Sequence, residues 1–332
     1  MRLAPLVPSP PAELTENHPP LASVPENYAF IMNVWHLKDT ESYSLAPGYE
    51  LRRASPGEVR DIKEILESHG PTPQHLYMHL WECQWPHPGG SIDLLPSEEW
   101  RYFVVAYRGS NSTAMELERT FDLAPLELEV GFTVSHSSDP HFGRGISLNP
   151  GRLFHVLDKT FFNKSFFVDV SESDIEAIQT IYGQLQKHDH RLVDVNGLVK
   201  QLNQLKGLPH ESPLRFLGYF ALLESLLTHK PKPSDPYDSI TRQVKKKIAL
   251  LDHRWPRALD YSPFRKGSPD TVWSKMYTYR SQVAHGDVPD FAGELKTLHD
   301  HEAALELIKQ TVKAVIRQML TEPQLLLDLR EC

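Results

Sequence analysis

The stretch Arg215-Phe-Leu-Gly-Tyr-Phe-Ala-Leu-Leu-Glu-Ser-Leu-Leu227 decides how the second half of this chain folds. It reads as a markedly apolar helix, opened by Ser212-Pro213 and closed by Lys230-Pro-Lys-Pro233. A helix this apolar needs other helices to cover it. They follow in the sequence. Ser239 to His253 carries Ile240, Val244, Ile248 and Leu251 on one stripe, Val272 to Ala284 is helical, and a long helix is expected over about 300–320. Residues 254–268 read as a polar, proline-bearing connector. Four helices after residue 211 predict a compact all-α bundle.

Upstream the period differs. Tyr28 to His36, Trp100 to Tyr107 and Leu126 to Val134 read as strands, and Phe161 to Val168 as a strand or core-facing turn. Ser55-Pro-Gly-Glu58 starts a helix with Val59, Ile62, Ile65 and Leu66 behind it. After Val170, Ser171 heads an amphipathic helix through Leu185, and helical spacing continues from Leu192 to Leu205. The fold class expected is α+β: a strand-rich amino-terminal domain, then an all-α bundle. The divisions are a proline-rich leader over 1–27, a mixed domain over 28–170, a helical connector over 171–210 and the bundle over 211–325.

Composition narrows the function. The chain has 332 residues, 40% hydrophobic and 23% charged, with a net charge of −8. That balance excludes a protein wrapping nucleic acid with its whole surface, while leaving room for a local basic patch. Cys83 and Cys332 are the only cysteines and are far apart in sequence, so neither a disulfide framework nor a cysteine zinc site is expected. The amino terminus shows no signal-peptide core and no apolar run reaches membrane-spanning length, so a cytoplasmic protein without membrane partners is expected.

Tyr277-Thr-Tyr-Arg-Ser-Gln-Val-Ala-His-Gly286 sets Arg280 and His285 five residues apart near a helix end. On an ideal helix that spacing is a rotation of about 140°, so the two share no face unless the helix unwinds near Gly286. Arg280 and His285 read either as a functional pair or as cations decorating a helix carboxy terminus. Glu224, amid Leu222, Leu223, Leu226 and Leu227, needs a partner if buried, and Arg280 is the first choice; a solvent-facing glutamate is the alternative. Tyr277 and Tyr279 suit either a base stack or the core. From 211 to 290 there are 13 Lys or Arg against 9 Asp or Glu, concentrated at Arg242, Lys245, Lys246 and Lys247. That run reads as an RNA-backbone track or a solvated face.

These residues carry a resemblance. Residues 213–320 resemble a HEPN domain of the ApeA-like branch: Arg215 to Leu227 matches its first core helix with the embedded glutamate, Ser239 to Lys247 the next helix, and Tyr279 to Gly286 its arginine, four residues, histidine motif. Leu45 to Glu58 also looks like the amino-terminal region often joined to this branch. The resemblance implies a homodimer paired through the bundles and a metal-independent endoribonuclease with no cofactor, acting in defence or stress. It also includes members that only bind RNA or assemble. Ser281 stands where active members often carry a long polar residue. In the catalytic reading Arg280 stabilises the phosphorane, His285 moves protons and Glu224 orients Arg280, giving 2′,3′-cyclic phosphate and 5′-hydroxyl ends. Arg242, Lys245, Lys246, Lys247 and Tyr277 would hold the RNA.

Other constellations are weaker. His136, Asp139 and His141, and likewise His188, Asp189 and His190, lack a fourth ligand, so no metal is expected. Gly143-Arg-Gly145 suits a turn. Trp81, Trp85, Trp100 and Tyr102 suit a core better than a recognition pocket. The strand-rich domain is therefore expected to sense a protein, nucleic acid or ligand trigger and to control the bundle.

Overall fold

The computed structural model describes residues 26–69, 80–84, 93–109, 111–137, 143–148, 153, 167–189, 191–231, 239–264 and 267–332. Residues 1–25 of the leader, Trp85, Asp139, His141, Phe161 to Phe166 and His190 lie outside these residues, and the leader's last residue, Asn27, already belongs to a strand. A strand-rich amino-terminal domain is followed by an all-α helical bundle, as expected.

The strands are β1 (Asn27–Ile31), β2 (Val34–Leu37), β3 (Ser42–Ala46), β4 (Tyr49–Arg53), β5 (Phe103–Tyr107), β6 (Val130–His136), β7 (Arg144–Leu148) and β8 (Val168–Val170). Six form an antiparallel sheet in the order β3-β4-β5-β1-β6-β7, and β2 pairs in parallel with β8 in a second, two-stranded sheet. The run read as one strand over 28–36 is therefore two strands serving two sheets.

Both faces of the large sheet are covered, which explains why β5 is buried at every position. One face, with Tyr28, Phe30, Val104 and Phe132, packs under Ile62, Ile65 and Trp81. Helix α1 (Pro56–His69) supplies the two isoleucines and starts on a reciprocal cap, Ser55 N–H to Glu58 at 2.7 Å and Glu58 N–H to Ser55 Oγ at 3.4 Å. The Trp81 indole donates to the Met32 carbonyl and the Tyr102 hydroxyl to Glu82, so these aromatics finish a core. Arg144, read as part of a turn, instead begins the edge strand β7 and pairs with Asp61 and Glu64 of α1, both at 2.9 Å.

The other face, with Ala29, Ile31, Leu51, Phe103 and Val105, joins a core that runs without interruption into the bundle. Its next layer is α2 (Asn111–Leu123), α3 (Glu172–Lys187) and α4 (Val195–Lys206). Helix α2 is absent from the sequence expectation, although Ala114, Leu117 and Phe121 keep helical spacing and are buried. Beyond lie α5 (Pro213–Leu227), α6 (Ile240–Asp252), α7 (Pro269–His285), α8 (His301–Thr321) and α9 (Pro323–Glu331). Side-chain caps from Ser239, Ser268 and Asp300 start α6, α7 and α8.

Residues 126–129, read as the first half of a strand, are instead a connection ahead of β6. Leu128 enters the core, while Glu127 and Glu129 turn to lysines of the helical layers. Buried Asn33 clamps this connection, donating to the Glu127 carbonyl and accepting from the Glu129 N–H, both at 2.8 Å. Lys206 of α4 lies 2.7 Å from Asp122, 3.8 Å from Glu127 and 3.7 Å from Glu129. Lys313 and Lys309 of α8 lie 2.8 Å and 3.3 Å from Glu127. Three ammonium groups thus meet three carboxylates between sheet and bundle. Burial opposes ionisation of Glu127, but the three lysines outweigh it and hold the carboxyl well below its ordinary range. Burial pushes Lys313 down to about 8 against the pull of Glu127.

Candidate functional site

Helices α5 and α7 pack against each other, and their facing stripes build the site. On α7 the buried positions are Val272, Trp273, Met276 and Tyr279, one helical face. Tyr279 stacks on Phe216 of α5 at 4.2 Å between ring centroids, and its hydroxyl lies 2.6 Å from His301 Nδ1. His301 Nε2 lies 2.7 Å from the His210 carbonyl oxygen. The carbonyl only accepts, so Nε2 carries the proton and Nδ1 accepts from Tyr279. Burial pushes the Tyr279 phenol upward. Tyr279 is therefore core and not a base-stacking platform.

Arg280 is next along the helix, at the edge of that stripe, and its Nη2 donates to Glu224 Oε2 at 3.1 Å. The expected partner of Glu224 is the one it has. The side chains are 28% and 13% exposed, so the pair sits at the floor of the surface rather than in the core. The contact is single, not forked: Arg280 Nε and Glu224 Oε1 are both buried without a hydrogen-bond partner among the described residues. Gln282 Oε1 nearby in sequence is in the same condition, while its amide nitrogen donates to Glu294 at 2.9 Å. Tyr277 lies under the guanidinium, 5.8 Å from ring centroid to Cζ, and meets Phe220 in a T-shaped contact. It is half-buried and supports Arg280 from below.

The helix does not unwind before His285. It runs through that residue, and the chain leaves it only at Gly286, in the left-handed conformation with φ of 80°. A side chain would strain there; glycine does not. The Asp287 N–H closes the turn on the Gln282 carbonyl at 2.9 Å. His285 is exposed in the last turn, and the unwinding that would carry it toward Arg280 does not occur. Regular helix geometry sets the two apart by about 140° of rotation and roughly 7.5 Å of rise.

The basic run of α6 divides by face. Arg242 and Lys246, one turn apart, are exposed. Lys245 is partly buried and pairs with Asp270 at 2.6 Å and Ser274 at 2.9 Å. Lys247 is buried, and its ammonium donates to the Leu227 carbonyl at 2.8 Å. It caps the end of α5, where cations favour the helix dipole. Lys247 thus corrects the expectation of a four-residue RNA track. Its position one residue from Lys246 turns it inward, beside Val244, Ile248 and Leu251.

Among the described residues no group of three or more His, Cys, Asp or Glu could hold a metal ion, and no helix is long and apolar enough to cross a membrane. Cys83 is buried and Cys332 exposed, and neither forms a disulfide. Compared with protein-family models, curated proteins and solved structures, the chain matches none. Fold and site define an α+β protein whose bundle carries a surface arginine–glutamate pair and, on another face of the arginine's helix, an exposed helix-end histidine.

Proposed function

We propose that this protein is a dimeric, metal-independent endoribonuclease acting in the cytoplasm in a defence or stress response. The observation that carries this reading is the Arg280–Glu224 pair. A partly exposed guanidinium, whose planar donors match phosphate oxygens, is oriented by a carboxylate and shares its helix with a solvent-accessible imidazole.

Arg280 binds the scissile phosphate and stabilises the charge that grows on its oxygens. An imidazole takes the 2′-hydroxyl proton as that oxygen attacks phosphorus. A second acid protonates the departing 5′-oxygen, leaving a 2′,3′-cyclic phosphate and a 5′-hydroxyl. Arg280 and His285 are offset along one helix, so the second copy of the chain supplies the opposing pair. Val288, three residues past His285 and 89% exposed, offers an apolar contact at that end of the bundle. Arg242 and Lys246 guide the RNA backbone.

The test is cleavage of mixed RNAs by purified full-length protein in EDTA, with His285→Ala as control and end-group analysis of products. Activity that disappears in the variant and leaves cyclic phosphate ends supports the reading. Cleavage unchanged in His285→Ala, or none from a folded dimer on any RNA tried, counts against it. One observation favours a second reading, an RNA-binding or assembly module without catalysis: α7 stays helical through His285 and keeps it off the Arg280 face. RNA binding that survives both Arg280→Ala and His285→Ala, with no strand scission, selects that alternative.

A further inference from the structure

A cavity of about 760 Å³ opens between α3, the connector after α6 and the last turns of α8, well outside the Arg280 site in sequence. Its volume suits a small organic ligand. The wall combines apolar groups, among them Ile181, Pro256 and Ala314, with three guanidinium groups, Arg254, Arg257 and Arg317.

The arginines differ in what holds them. Arg254 is neutralised, its Nη2 lying 2.9 Å from both carboxylate oxygens of Glu322, which also accepts from Gln318 at 2.6 Å. Arg317 donates to the Leu123 carbonyl, at the end of α2, at 2.6 Å. Among the described residues no carboxylate lies within ion-pair distance of Arg317 or Arg257. Burial and then the positive charge of Arg257 push the Arg317 guanidinium down to about 10. The remaining carboxylate in the wall, Asp174, is committed to the cap of α3, accepting from the Ser171 N–H at 3.0 Å and its hydroxyl at 2.5 Å. Gln184 also lines the cavity, and its amide has no hydrogen-bond partner in the described chain.

Arg257 is exposed and Arg317 half-buried, and neither has a carboxylate within ion-pair distance among the described residues, so an anion entering the cavity meets guanidinium donors not already held by a counter-charge. Guanidinium forks match oxyanions in geometry as well as charge. We infer that this cavity binds a small molecule with an oxyanion head, phosphate or carboxylate, held by Arg257 and Arg317, on an apolar body seated against Ile181 and Ala314. Such a ligand ties α3 to α8 and so bridges the layer over the sheet to the bundle. The inference does not rest on the ribonuclease reading.

The probes are 1-naphthyl phosphate and 1-naphthoate, compared by calorimetry with 1-naphthol and inorganic phosphate on the full chain. At least one naphthyl anion binds tenfold or more tightly than 1-naphthol. Its affinity falls at least tenfold in Arg257→Ala, whose exposed side chain leaves the fold intact. Arg317→Lys keeps the charge and loses the fork, and weakens binding less than Arg317→Gln. The relative affinities of phosphate and carboxylate probes assign the head group. Equal binding of 1-naphthol and the anions, anion binding unchanged in Arg257→Ala, or no binding of either anion overturns the inference.

Discussion

Two ionic clusters in this protein each set basic side chains against carboxylates and come to opposite ends. Between sheet and bundle, Lys206, Lys309 and Lys313 meet Asp122, Glu127 and Glu129 in the interior, where Lys313 is 0% exposed and each charge has a counter-charge within 4 Å. At the α5–α7 surface, Arg280 meets Glu224 through one hydrogen bond, and both side chains keep buried polar atoms unpaired. Neutralised buried charges specify an arrangement and become costly when one partner is lost. A guanidinium that stays partly open to solvent can also meet an oxyanion. The first cluster therefore joins two layers of the fold, and the second is where chemistry is proposed.

The sharpest way to break this contrast is at Glu127, the carboxylate shared by three lysines. Glu127→Gln leaves them with one charge fewer, and urea unfolding should show a loss of about 3–5 kcal/mol. A loss below about 1 kcal/mol would mean the cluster is no more structural than a surface pair. On the other side, His285→Ala should leave the melting temperature unchanged, since the ring is exposed, while RNA cleavage falls by about 100-fold or more. Glu224→Gln keeps a hydrogen-bond acceptor for Arg280 and removes its charge. Cleavage should fall about tenfold, near 1.4 kcal/mol in the barrier, with stability altered by less than about 1 kcal/mol.

Acid sharpens the comparison further. The Glu127 carboxyl is held below its ordinary range in the folded protein, so its contribution is full above the unfolded value of roughly 4.3 and is lost as pH falls through the folded value. The fall in unfolding free energy from pH 5 to pH 3 should be shallower in Glu127→Gln than in the parent chain, and equal slopes would remove Glu127 from the acid response. The remaining tests fall on α6. Lys246→Ala should reduce the salt slope of RNA binding by about 1 without changing stability. Lys247→Ala should instead cost about 1–3 kcal/mol, by leaving the Leu227 carbonyl without its ammonium.

Legibility followed locality. The helix starts at Ser55, Ser171, Ser212 and Ser239, with apolar stripes behind them, could be read from spacing, because a cap and a 3.6-residue period are properties of a short segment. Residues 126–129 were misread for the same reason. Leu-Glu-Leu-Glu alternates as a strand does, but alternation also serves a connection with one leucine in the core and glutamates facing lysines some 80 and 185 residues away. The Arg280–Glu224 pairing was legible because an acid in a leucine-rich face must find a cation. The place of His285 was not, since it depends on whether the helix frays before Gly286 or at it.

By itself the sequence determined the class of the fold, the succession of helices from Ser171 to about residue 320, and the residue types available for chemistry at the end of α7. Tertiary structure alone decided which charges went inside. Lys246 and Lys247 are adjacent and identical in kind, yet one is exposed and the other caps α5. Arg254 found a glutamate, whereas Arg257 and Arg317 were left facing a cavity. The physical reason is range. Backbone preference and periodicity act over a few residues, while the cost of burying a charge depends on partners that only the folded chain brings within 4 Å.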